Sequence, residues 1–586
     1  PSMGLRYDFG KGKLALQKER SPLKDAPFSS SYFRMDFNAD QIKWDLTSDS
    51  LNVYTAGGRS QQPLIIQSVD YYNPDDYQIL AGHGFNFHPL GVVVGYSTAT
   101  GLREFYSDDI AQRFQLKPQE VRMAMQYLSS KGMIRYNPTT SLVQVGDKAI
   151  HFQEASRGKT DYDNIKIHSV VDGPANATLN LNRGDITVRG VDEFNVSDSL
   201  NVVIKPDSSV VKLLQNRDIK FNGKITAGNF EINGKDFTLK YDSFFINLNH
   251  IDSIRFYVTE KNSKGQMIRR RVNNAMVGAD SVAAAAAGGL MAGSKKTSGT
   301  LFINVPDNKS GLKKVPNYPR LDATAGGVIY FDRREVLDGA YDRSVFFVVP
   351  PFKLDSLNDA DPASINFEGT FVSSGMFPSF KEKLHTMADK SLGFTHSVPL
   401  AGYPLYHGEG KLYGGMSLDN AGIRATGRIE YLAAGVEADD FIFYPDSVVG
   451  VGKVGSLKEK QFGPVWFPQA DFTDFKLKWL PKQDRFNLTN LRDPFNFYNS
   501  TARLNGQLTV SKKGVSGQGK LVTRGSELIS EELAFSARDF SARHAQFQVK
   551  TSNPDKPALA GDDISLRFDL EKNYADISPE VEGVAA

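Results

Sequence analysis

One stretch of the chain repeats without a gap, and this repeat limits the folds that the chain can adopt. The segment KLYGGMSLDNAGIRATGRIEYLAAGVEADDFIFYP from Lys411 aligns with RLNGQLTVSKKGVSGQGKLVTRGSELISEELAFSA from Arg503, an offset of 92 residues. Apolar and polar residues alternate in both copies, as in a half-buried β-strand. The matched pairs are Leu412 and Leu504, Gly414 and Gly506, Met416 and Leu508, Gly422 and Gly514, Gly427 and Gly519, and Asp439-Asp440 and Glu531-Glu532. We expect Gly422 and Gly514 to hold equivalent turns with positive φ, and the units to stack.

The same alternation covers most of the chain and predicts a mainly β fold. In QIKWDLTSDSLNVY, for example, Ile42 and Trp44 share one face of a strand. The 39 Phe and 23 Tyr residues also suit strands. We predict an elongated, repeat-built architecture made of β-solenoid rungs or of stacked β-meander units. Both alternatives stay open between residues 219 and 241, because Asn222-Gly223 and Asn233-Gly234 suit hairpin turns or regularly spaced solenoid corners.

The segment FYSDDIAQRFQLKPQEVRMAMQYLSSKGMIRYN from Phe105 departs from this alternation. Ser107 is a suitable N-cap for one helix, and Pro118 suits the first position of a second helix. The sequence then returns as strand, turn and strand. This order predicts a small winged-helix-like insert at 105–150, whereas PLIIQSVDYYN and GVVVGYS before it are predicted strands. The expected core of the insert consists of Ile110, Phe114, Val121, Met125, Leu128 and Ile134.

The exterior of the second predicted helix indicates a contact with protein and not with DNA. Five Lys or Arg residues between positions 107 and 147 are opposed by four Asp or Glu residues. Duplex binding depends on neutralising several phosphates, which this exterior does not favour. The predicted contact residues are Arg122, Met123 and Gln126, among which methionine adapts easily to a partner surface.

Residues 261–325 differ in composition and are predicted to form a flexible excursion rich in Ala and Gly, followed by a return strand. The mobile part is placed at 276–299, where SVAAAAAGGLMAG joins helix-favouring alanines to glycines that stop a helix. Before it, Arg269, Arg270 and Arg271 form a basic triplet. This triplet is a candidate anion site, and a solvated run of charge is the alternative.

These patterns divide the chain into six regions. They are a β-rich N-terminal region at 1–104, the winged-helix-like insert at 105–150, a β-rich solenoid or meander at 151–260, the excursion at 261–325, a β-rich connecting region at 326–400, and the repeat region at 401–586 with units near 411–445 and 503–537.

Composition and motifs point away from most enzyme classes. The chain has no cysteine, which excludes thiol nucleophiles and cysteine-ligated zinc. It contains no phosphate-binding loop, no dinucleotide fingerprint followed by a helix and no GxSxG elbow. His83 and His88 are the closest histidines, but a spacing of five suits neither one strand face nor one helix face. We predict no catalytic, cofactor-binding or metal-binding residue and read the paired carboxylates as outward or turn positions; these pairs are Asp75-Asp76, Asp439-Asp440, Glu531-Glu532 and Asp562-Asp563.

Charge and hydropathy also bear on partners. A net charge of +2 gives no overall field that would attract nucleic acid. No run approaches 18 apolar residues, so we expect no transmembrane helix. The opening PSMGLRYDFG has no signal pattern, and we expect the chain to be a mature piece or a fragment.

Four stretches resemble very large envelope-associated proteins of Bacteroidota. They are TSGTLFINVPDNKSGLKK, VIYFDRREVLDGAYDRSVFFVVPPFKLDSL, FEGTFVSSGMFPSFKEKL and DDFIFYPDSV. The resemblance carries no functional residues that can be transferred. It implies a secreted protein in the cell envelope, periplasmic or exposed on the surface. The strand-and-glycine pattern is also similar to that of lipopolysaccharide-bridge and AsmA-like proteins, which stack β-units around an apolar trough.

We therefore expect a non-enzymatic structural or assembly component that contacts other envelope proteins or glycans. Two alternatives are a carbohydrate-active β-helix enzyme and a carrier of lipid or glycolipid in a β-groove. A filled core would favour the scaffold, an open trough lined by Phe and Leu would favour lipid, and converging carboxylates beside exposed aromatic residues would favour sugar.

Overall fold

The structure, a computed structural model, describes residues 3–18, 26–55, 62–81, 84–278, 283, 297–358, 365–549 and 559–580. Strands hold 56% of the chain and helices 12%, which confirms the mainly β class. The strands form one large antiparallel sheet of 34 strands and three small sheets of four, three and two strands.

The elements fall into four consecutive groups. The N-terminal strands are β1 (Met3–Asp8), β2 (Lys13–Lys18), β3 (Phe28–Ser30), β4 (Met35–Asn38), β5 (Gln41–Asp45), β6 (Ser50–Tyr54) and β7 (Leu64–Ser68). The helical unit comprises α1 (Pro74–Ala81), α2 (Pro89–Thr100), β8 (Glu104–Tyr106), α3 (Ser107–Phe114), α4 (Pro118–Ser130), β9 (Ile134–Asn137), β10 (Leu142–Val145) and α5 (Asp147–Ser156). The central strands are β11 (Lys166–Ser169), β12 (Ala177–Asn180), β13 (Asp185–Arg189), β14 (Phe194–Ser197), β15 (Val202–Leu213), β16 (Ile219–Ala227), β17 (Phe230–Lys240), β18 (Phe245–Lys261), β19 (Met267–Val277), β20 (Thr297–Phe302), β21 (Arg320–Ala323), β22 (Gly327–Tyr330), β23 (Val345–Val349), β24 (Phe352–Leu354), β25 (Asn366–Ser373), β26 (Phe380–Thr386), β27 (Leu392–Ser397) and β28 (Tyr403–Leu405). The C-terminal strands are β29 (Gly410–Asp419), β30 (Gly422–Tyr431), β31 (Ala434–Tyr444), β32 (Ser447–Leu457), β33 (Lys460–Phe462), β34 (Val465–Phe467), β35 (Ala470–Leu480), β36 (Arg485–Asn490), β37 (Phe495–Phe497), β38 (Ala502–Ser511), β39 (Gly514–Thr523), β40 (Ser526–Phe535), β41 (Asp539–Val549), β42 (Ala560–Asp569) and β43 (Tyr574–Pro579).

The large sheet follows the chain from one end to the other. From β15 to β18, and again from β29 to β32, each strand pairs with the next in sequence. Strand β18 is long enough to hold two strands on one edge, β19 at its C-terminal half and β20 at its N-terminal half. Every named strand pairing is antiparallel, so neighbouring strands are joined mostly by short turns.

The helical unit is larger than predicted. The predicted strand GVVVGYS is wrong, because these residues lie in α2, which Pro89 opens. The ring of His88 caps this helix by accepting a hydrogen bond at Nδ1 from the backbone N–H of Gly91 at 3.2 Å. Val93 and Val94 then face the core of the unit, so tertiary packing overrides the strand preference of valine.

The predicted turns at Asn222-Gly223 and Asn233-Gly234 are also wrong. Both dipeptides lie inside strands, where Gly223 pairs with Gly234 beside shifts of register. The chain turns instead at Gly228, which has a φ of 56°. A side chain on Gly223 would collide with the backbone of the neighbouring strand β15, so this glycine permits close approach and does not make a turn. The pairing of β16, β17 and β18 is that of an antiparallel meander.

Strands β18 to β21 cover much of the predicted excursion at 261–325. Its alanine-rich part lies outside the described residues, except for Ala283 and the few residues at either end.

Paired glycines bend the long C-terminal strands near their middle. Gly414 lies opposite Gly427 in β29 and β30, and Gly506 lies opposite Gly519 in β38 and β39. All four have φ between 124° and 153°, which side chains disfavour. A Cβ atom on any of them would collide with a carbonyl oxygen of the partner strand. On the next strand the register skips the acidic pairs at 439–440 and 531–532, which form bulges that increase the bend.

The two copies of the sequence repeat have the same strand bounds after the offset. β29 and β38, β30 and β39, and β32 and β41 each begin and end 92 residues apart. Gly422 and Gly514 open β30 and β39 with φ of 92° and 125°, which confirms the expected positive-φ positions. The sheet is therefore repeat-like in this part of the chain.

Tyrosines show that the bent strands fold back far enough for their opposite ends to meet. Tyr406 precedes β29, yet its hydroxyl donates to the carbonyl oxygens of Tyr444 and Ser447, at the far ends of β31 and β32, at 2.6 and 2.8 Å. Tyr498, 92 residues later, binds Ser536 and Asp539 in the same way at 2.8 and 3.0 Å. The sheet thus closes over its own apolar face.

The closed sheet encloses one continuous core. This core extends from Phe33 to Leu566 along the large sheet and the small four-stranded sheet. Phe441, Trp479 and Leu504 have no exposed surface. Inward residues from the two arms of each bent strand therefore pack against each other.

The bend predicts that alanine is tolerated less well at Gly414 than at the adjacent Gly415. Gly414→Ala should lower the free energy of unfolding by about 2 kcal/mol or more, because it combines positive φ with a backbone collision. Gly415→Ala is the control, since a Cβ there lies 3.7 Å from its nearest neighbour, the carbonyl oxygen of His396. Urea denaturation followed by circular dichroism measures both, and equal stabilities would contradict the proposed role of Gly414.

The tyrosine contacts give a second prediction. Tyr498→Phe removes only the hydroxyl that joins the two ends of the sheet and should cost about 1–2 kcal/mol, because buried carbonyls lose a donor. Tyr574→Phe, at a side chain that is 61% exposed, should change stability little. Thermal unfolding compares the two variants, and an unaffected Tyr498→Phe protein would show that the contact does not hold the ends together.

Candidate functional site

The helical unit has the best-defined surface for a functional contact. Asp109 accepts a hydrogen bond from the backbone N–H of Tyr106 at 3.0 Å, so α3 is capped at Tyr106, one residue before the predicted Ser107. Helix α4 begins at Pro118, as predicted. Strands β8, β10 and β9 form a three-stranded antiparallel sheet against these helices.

A separate core fixes the position of these elements. The predicted core residues Ile110, Val121, Met125, Leu128 and Ile134 are all buried within it. Phe114 is the exception, because its side chain is 39% exposed at the end of α3. Leu90 and Phe152, from α2 and α5, complete the core and were not predicted, since the sequence analysis missed these helices.

The predicted contact residues lie on the outer part of α4. Met123 is 56% exposed, Arg122 is exposed and Gln126 is half-buried. Arg122 donates to both carboxylate oxygens of Asp108 at 3.0 Å, and Lys117 pairs with Glu120 at 2.9 Å. Two of the basic charges are thus neutralised locally, which leaves Met123 in a surface of little net charge.

A cavity of about 270 Å³ lies between α1, α4 and α5 on one side and β4, β7 and β11 on the other. The ammonium group of Lys148 binds Asp36 at 2.6 Å and Gln67 at 3.0 Å, and both ends of this ion pair are nearly buried. Lys166 binds Asp76 at 3.0 Å across the same cavity. Lys148 and Lys166 are thus compensated by acids of the cavity, and these contacts attach the helical unit to the small sheet.

A buried polar cluster continues this attachment into the large sheet. The carboxylate of Asp163 accepts hydrogen bonds from the hydroxyls of Ser68 and Tyr241, each at 2.6 Å. Arg217 is 2% exposed, forms an ion pair with Asp70 and stacks 3.6 Å above the ring of Tyr241. Strand β7, the segment after α5 and strand β17 therefore meet at one point.

Within this cluster, burial raises the pKa of each carboxyl group, whereas hydrogen bonds and positive charge lower it. Burial raises the pKa of Asp163, although its hydrogen bonds with Ser68 and Tyr241 oppose the rise. Burial alone would also raise the pKa of Asp70, but the hydrogen bond and positive charge of Arg217 hold it below its usual value. Arg217 therefore stabilises the ionised form of Asp70.

The structure separates the predicted basic triplet. Arg269, Arg270 and Arg271 are all exposed on β19. Arg269 and Arg271 share one face, because successive residues of a strand point to opposite sides. The triplet therefore does not act as one unit.

Each carboxylate of the pair at 439–440 binds its own basic side chain, whereas Asp563 and Glu532, from two other pairs, both raise the pKa of His544. Asp440 forms an ion pair with Arg424, and Asp439 forms one with Lys453, both on the outer surface. These acids lie in a bulge and both point outward, as predicted for this pair. Asp563 pairs with His544 at 2.9 Å.

Within the described ranges, no three His, Asp or Glu side chains are grouped as metal ligands would be. His83 lies outside the described residues. None of the helices that the structure describes is long and apolar enough to cross a membrane.

The buried cluster predicts a large effect at Arg217. Arg217→Met should lower the free energy of unfolding by about 3–5 kcal/mol, because it leaves the Asp70 carboxylate without its buried partner. Arg34→Met is the matched control: Arg34 lies 3.7 Å from the same carboxylate but is 46% exposed, so its loss should cost little. Chemical denaturation measures both variants, and adding Asp70→Asn should restore part of the loss. Equal effects at Arg34 and Arg217 would contradict this account.

Comparison with known proteins gives no relative from which to assign the site. No protein-family model matches the chain, and no curated protein matches its sequence.

Proposed function

We propose that this protein is a non-enzymatic structural or assembly component of a bacterial cell envelope, periplasmic or exposed on the surface. The closed, filled core of the large sheet is the observation that carries the proposal. A long antiparallel sheet with its apolar face buried throughout suits a rigid spacer. Its partners would be other envelope proteins or glycans, in line with the likeness to large Bacteroidota envelope proteins.

The filled core also favours the scaffold over a lipid carrier. A lipid-binding trough needs open apolar walls, whereas Tyr406 and Tyr498 hold the strand ends together here. Inside, side chains such as Phe441 and Trp479 are fully buried by one another. The resemblance to groove proteins therefore extends to the bent strands and not to an open groove.

A carbohydrate-active enzyme is favoured less because its acids would have to converge. The acidic pairs at 439–440, 531–532 and 562–563 lie in bulges, and Asp439 and Asp440 are each held by a basic side chain. Glycoside hydrolysis needs two carboxyl groups facing one bond.

Within this scaffold, the α3, α4, β9 and β10 elements form the winged-helix-like contact module. The exposed Met123 and the neutralised Arg122 suit a protein partner better than a phosphate backbone. The ion pair of Lys148 with Asp36 fixes the module to the small four-stranded sheet, so a partner bound at α4 would be held in a fixed position relative to that sheet.

Photo-crosslinking in the producing cells tests the contact. A photoreactive phenylalanine analogue at Met123 should give a discrete adduct with one envelope protein. The same analogue at Leu102, which is 51% exposed elsewhere on the helical unit, is the matched control. The proposal fails if neither position gives an adduct, or if both give the same products.

Duplex DNA and lipid test the competing functions on the purified chain. Fluorescence titration with mixed-sequence duplex at about 150 mM salt should show no binding. Micromolar affinity that is lost in Arg122→Glu with Lys131→Glu would make the module a DNA-binding unit instead. Native mass spectrometry that found a co-purified phospholipid in stoichiometric amount would favour the lipid carrier.

A further inference from the structure

We propose that the outer face of β18 and β19 carries a phosphate-binding site formed by Arg255, Arg269, Arg271 and Arg333. This proposal is independent of the scaffold function. It assigns the ligand by its chemistry, as a phosphate group that is either free in solution or part of a lipid headgroup. Arg270, the middle residue of the sequence triplet, is not part of the site.

The register between β18 and β19 determines which arginines belong to the proposed site. Tyr257 pairs with Arg271 and Thr259 with Arg269, so these four side chains share one face of β18 and β19. Arg270 pairs with Val258, a core residue, and belongs to the other face. The guanidinium of Arg269 stacks 4.0 Å above the ring of Tyr257, which fixes its plane.

One carboxylate organises this face from β17. Glu231 is nearly buried and accepts hydrogen bonds from Tyr257 at 3.1 Å, Arg255 at 3.4 Å and Lys224 at 3.3 Å. Its charge is therefore shared between two cations. Glu231 therefore orients Tyr257 and Arg255.

Arg271 and Arg333 differ from Arg255, which is paired with Glu231. Arg271 makes no hydrogen bond or ion pair with any described residue, and neither does the side chain of Arg333. Burial lowers the pKa of Arg333 and the positive charges of Arg271 and Arg255 lower it further, whereas the carboxylates of Glu335 and Asp332 raise it. Asp332, beside Arg333, already pairs with Arg343 at 3.4 Å. The Nε of Arg255 is buried and has no acceptor among the described residues.

This arrangement fits phosphate better than a single-charged anion. A guanidinium presents parallel N–H donors that match two phosphate oxygens, and several such groups together can neutralise a dianion. The stacked Arg269 is held in place, so little conformational entropy is lost on binding. Phosphate would also remove the repulsion between Arg255, Arg271 and Arg333.

Calorimetric titration of the full chain with inorganic phosphate tests the site. We expect saturable binding that weakens with added salt and becomes at least about tenfold weaker in Arg271→Gln, through loss of a charged hydrogen bond. Arg270→Gln is the matched control on the same strand and should bind as the unchanged protein does. Circular dichroism checks that both variants fold.

Stability gives a second readout. Without phosphate, Arg333→Gln should melt at the same or a higher temperature, because repulsion is relieved. When phosphate is added, the melting temperature of Arg333→Gln should rise less than that of the unchanged protein.

Vesicles distinguish the two sources of the phosphate group. Co-sedimentation with phosphatidylcholine vesicles that contain phosphatidic acid, and not with phosphatidylcholine alone, would identify a headgroup site, whereas binding of inorganic phosphate alone would identify a soluble anion. The proposal is overturned if neither probe binds saturably, or if Arg270→Gln weakens binding as much as Arg271→Gln does.

Discussion

The bend that paired glycines impose on the long strands is the constraint on which the C-terminal half of the structure depends. A straight antiparallel sheet would expose one apolar face along its whole length and would need a second layer to cover it. Here Gly414 with Gly427, and Gly506 with Gly519, let neighbouring backbones approach and turn, so each strand covers its own apolar face. The acidic bulges on the next strands accommodate the extra curvature and direct their carboxylates to solvent. Tyr406 and Tyr498 then fasten the ends together. Bend, bulge and tyrosine recur together at the same offset of 92 residues.

A different interaction joins the helical unit to this sheet. Its own core is separate from the core of the sheets, so polar contacts carry much of the attachment. The ion pair of Lys148 with Asp36 joins the unit to the small four-stranded sheet. The cluster of Arg217, Asp70 and Asp163 links it to the large sheet. Buried groups of this kind contribute orientation more than stability, since their desolvation cost is high. A helical unit that buried polar contacts hold to the sheets is consistent with the proposed role in spacing or assembly.

The sequence predicted the class of the fold but not its closure. Alternation identified strands, the offset identified matching units, and helical periodicity identified α3, α4 and most of their core. The prediction failed where a local sequence pattern is compatible with two structures. Asn222-Gly223 suits a turn but lies in a bent strand, and GVVVGYS suits a strand but packs as helix α2. Phe114 fits the helical stripe, but α3 ends there and leaves it exposed. The candidate anion site was predicted as three consecutive arginines, although successive residues of a strand face opposite sides and Arg255 of β18 shares the face of Arg269 and Arg271. Long-range pairing of that kind leaves no local signal in the sequence.

The central claim is that opposite ends of the strands meet, and a distance measurement tests it directly. The chain has no cysteine, so two introduced cysteines can be spin-labelled without background. Glu409 and Lys512 are suitable positions, because they lie at opposite ends of β29 and β38 and their charged groups are 2.8 Å apart. Pulsed electron resonance should give a single narrow distance below about 20 Å, whereas a flat sheet would separate the labels by roughly 40 Å or more, from the rise per residue and the strand spacing. The long distance would contradict the closed sheet, and with it the filled core on which the proposed scaffold function rests.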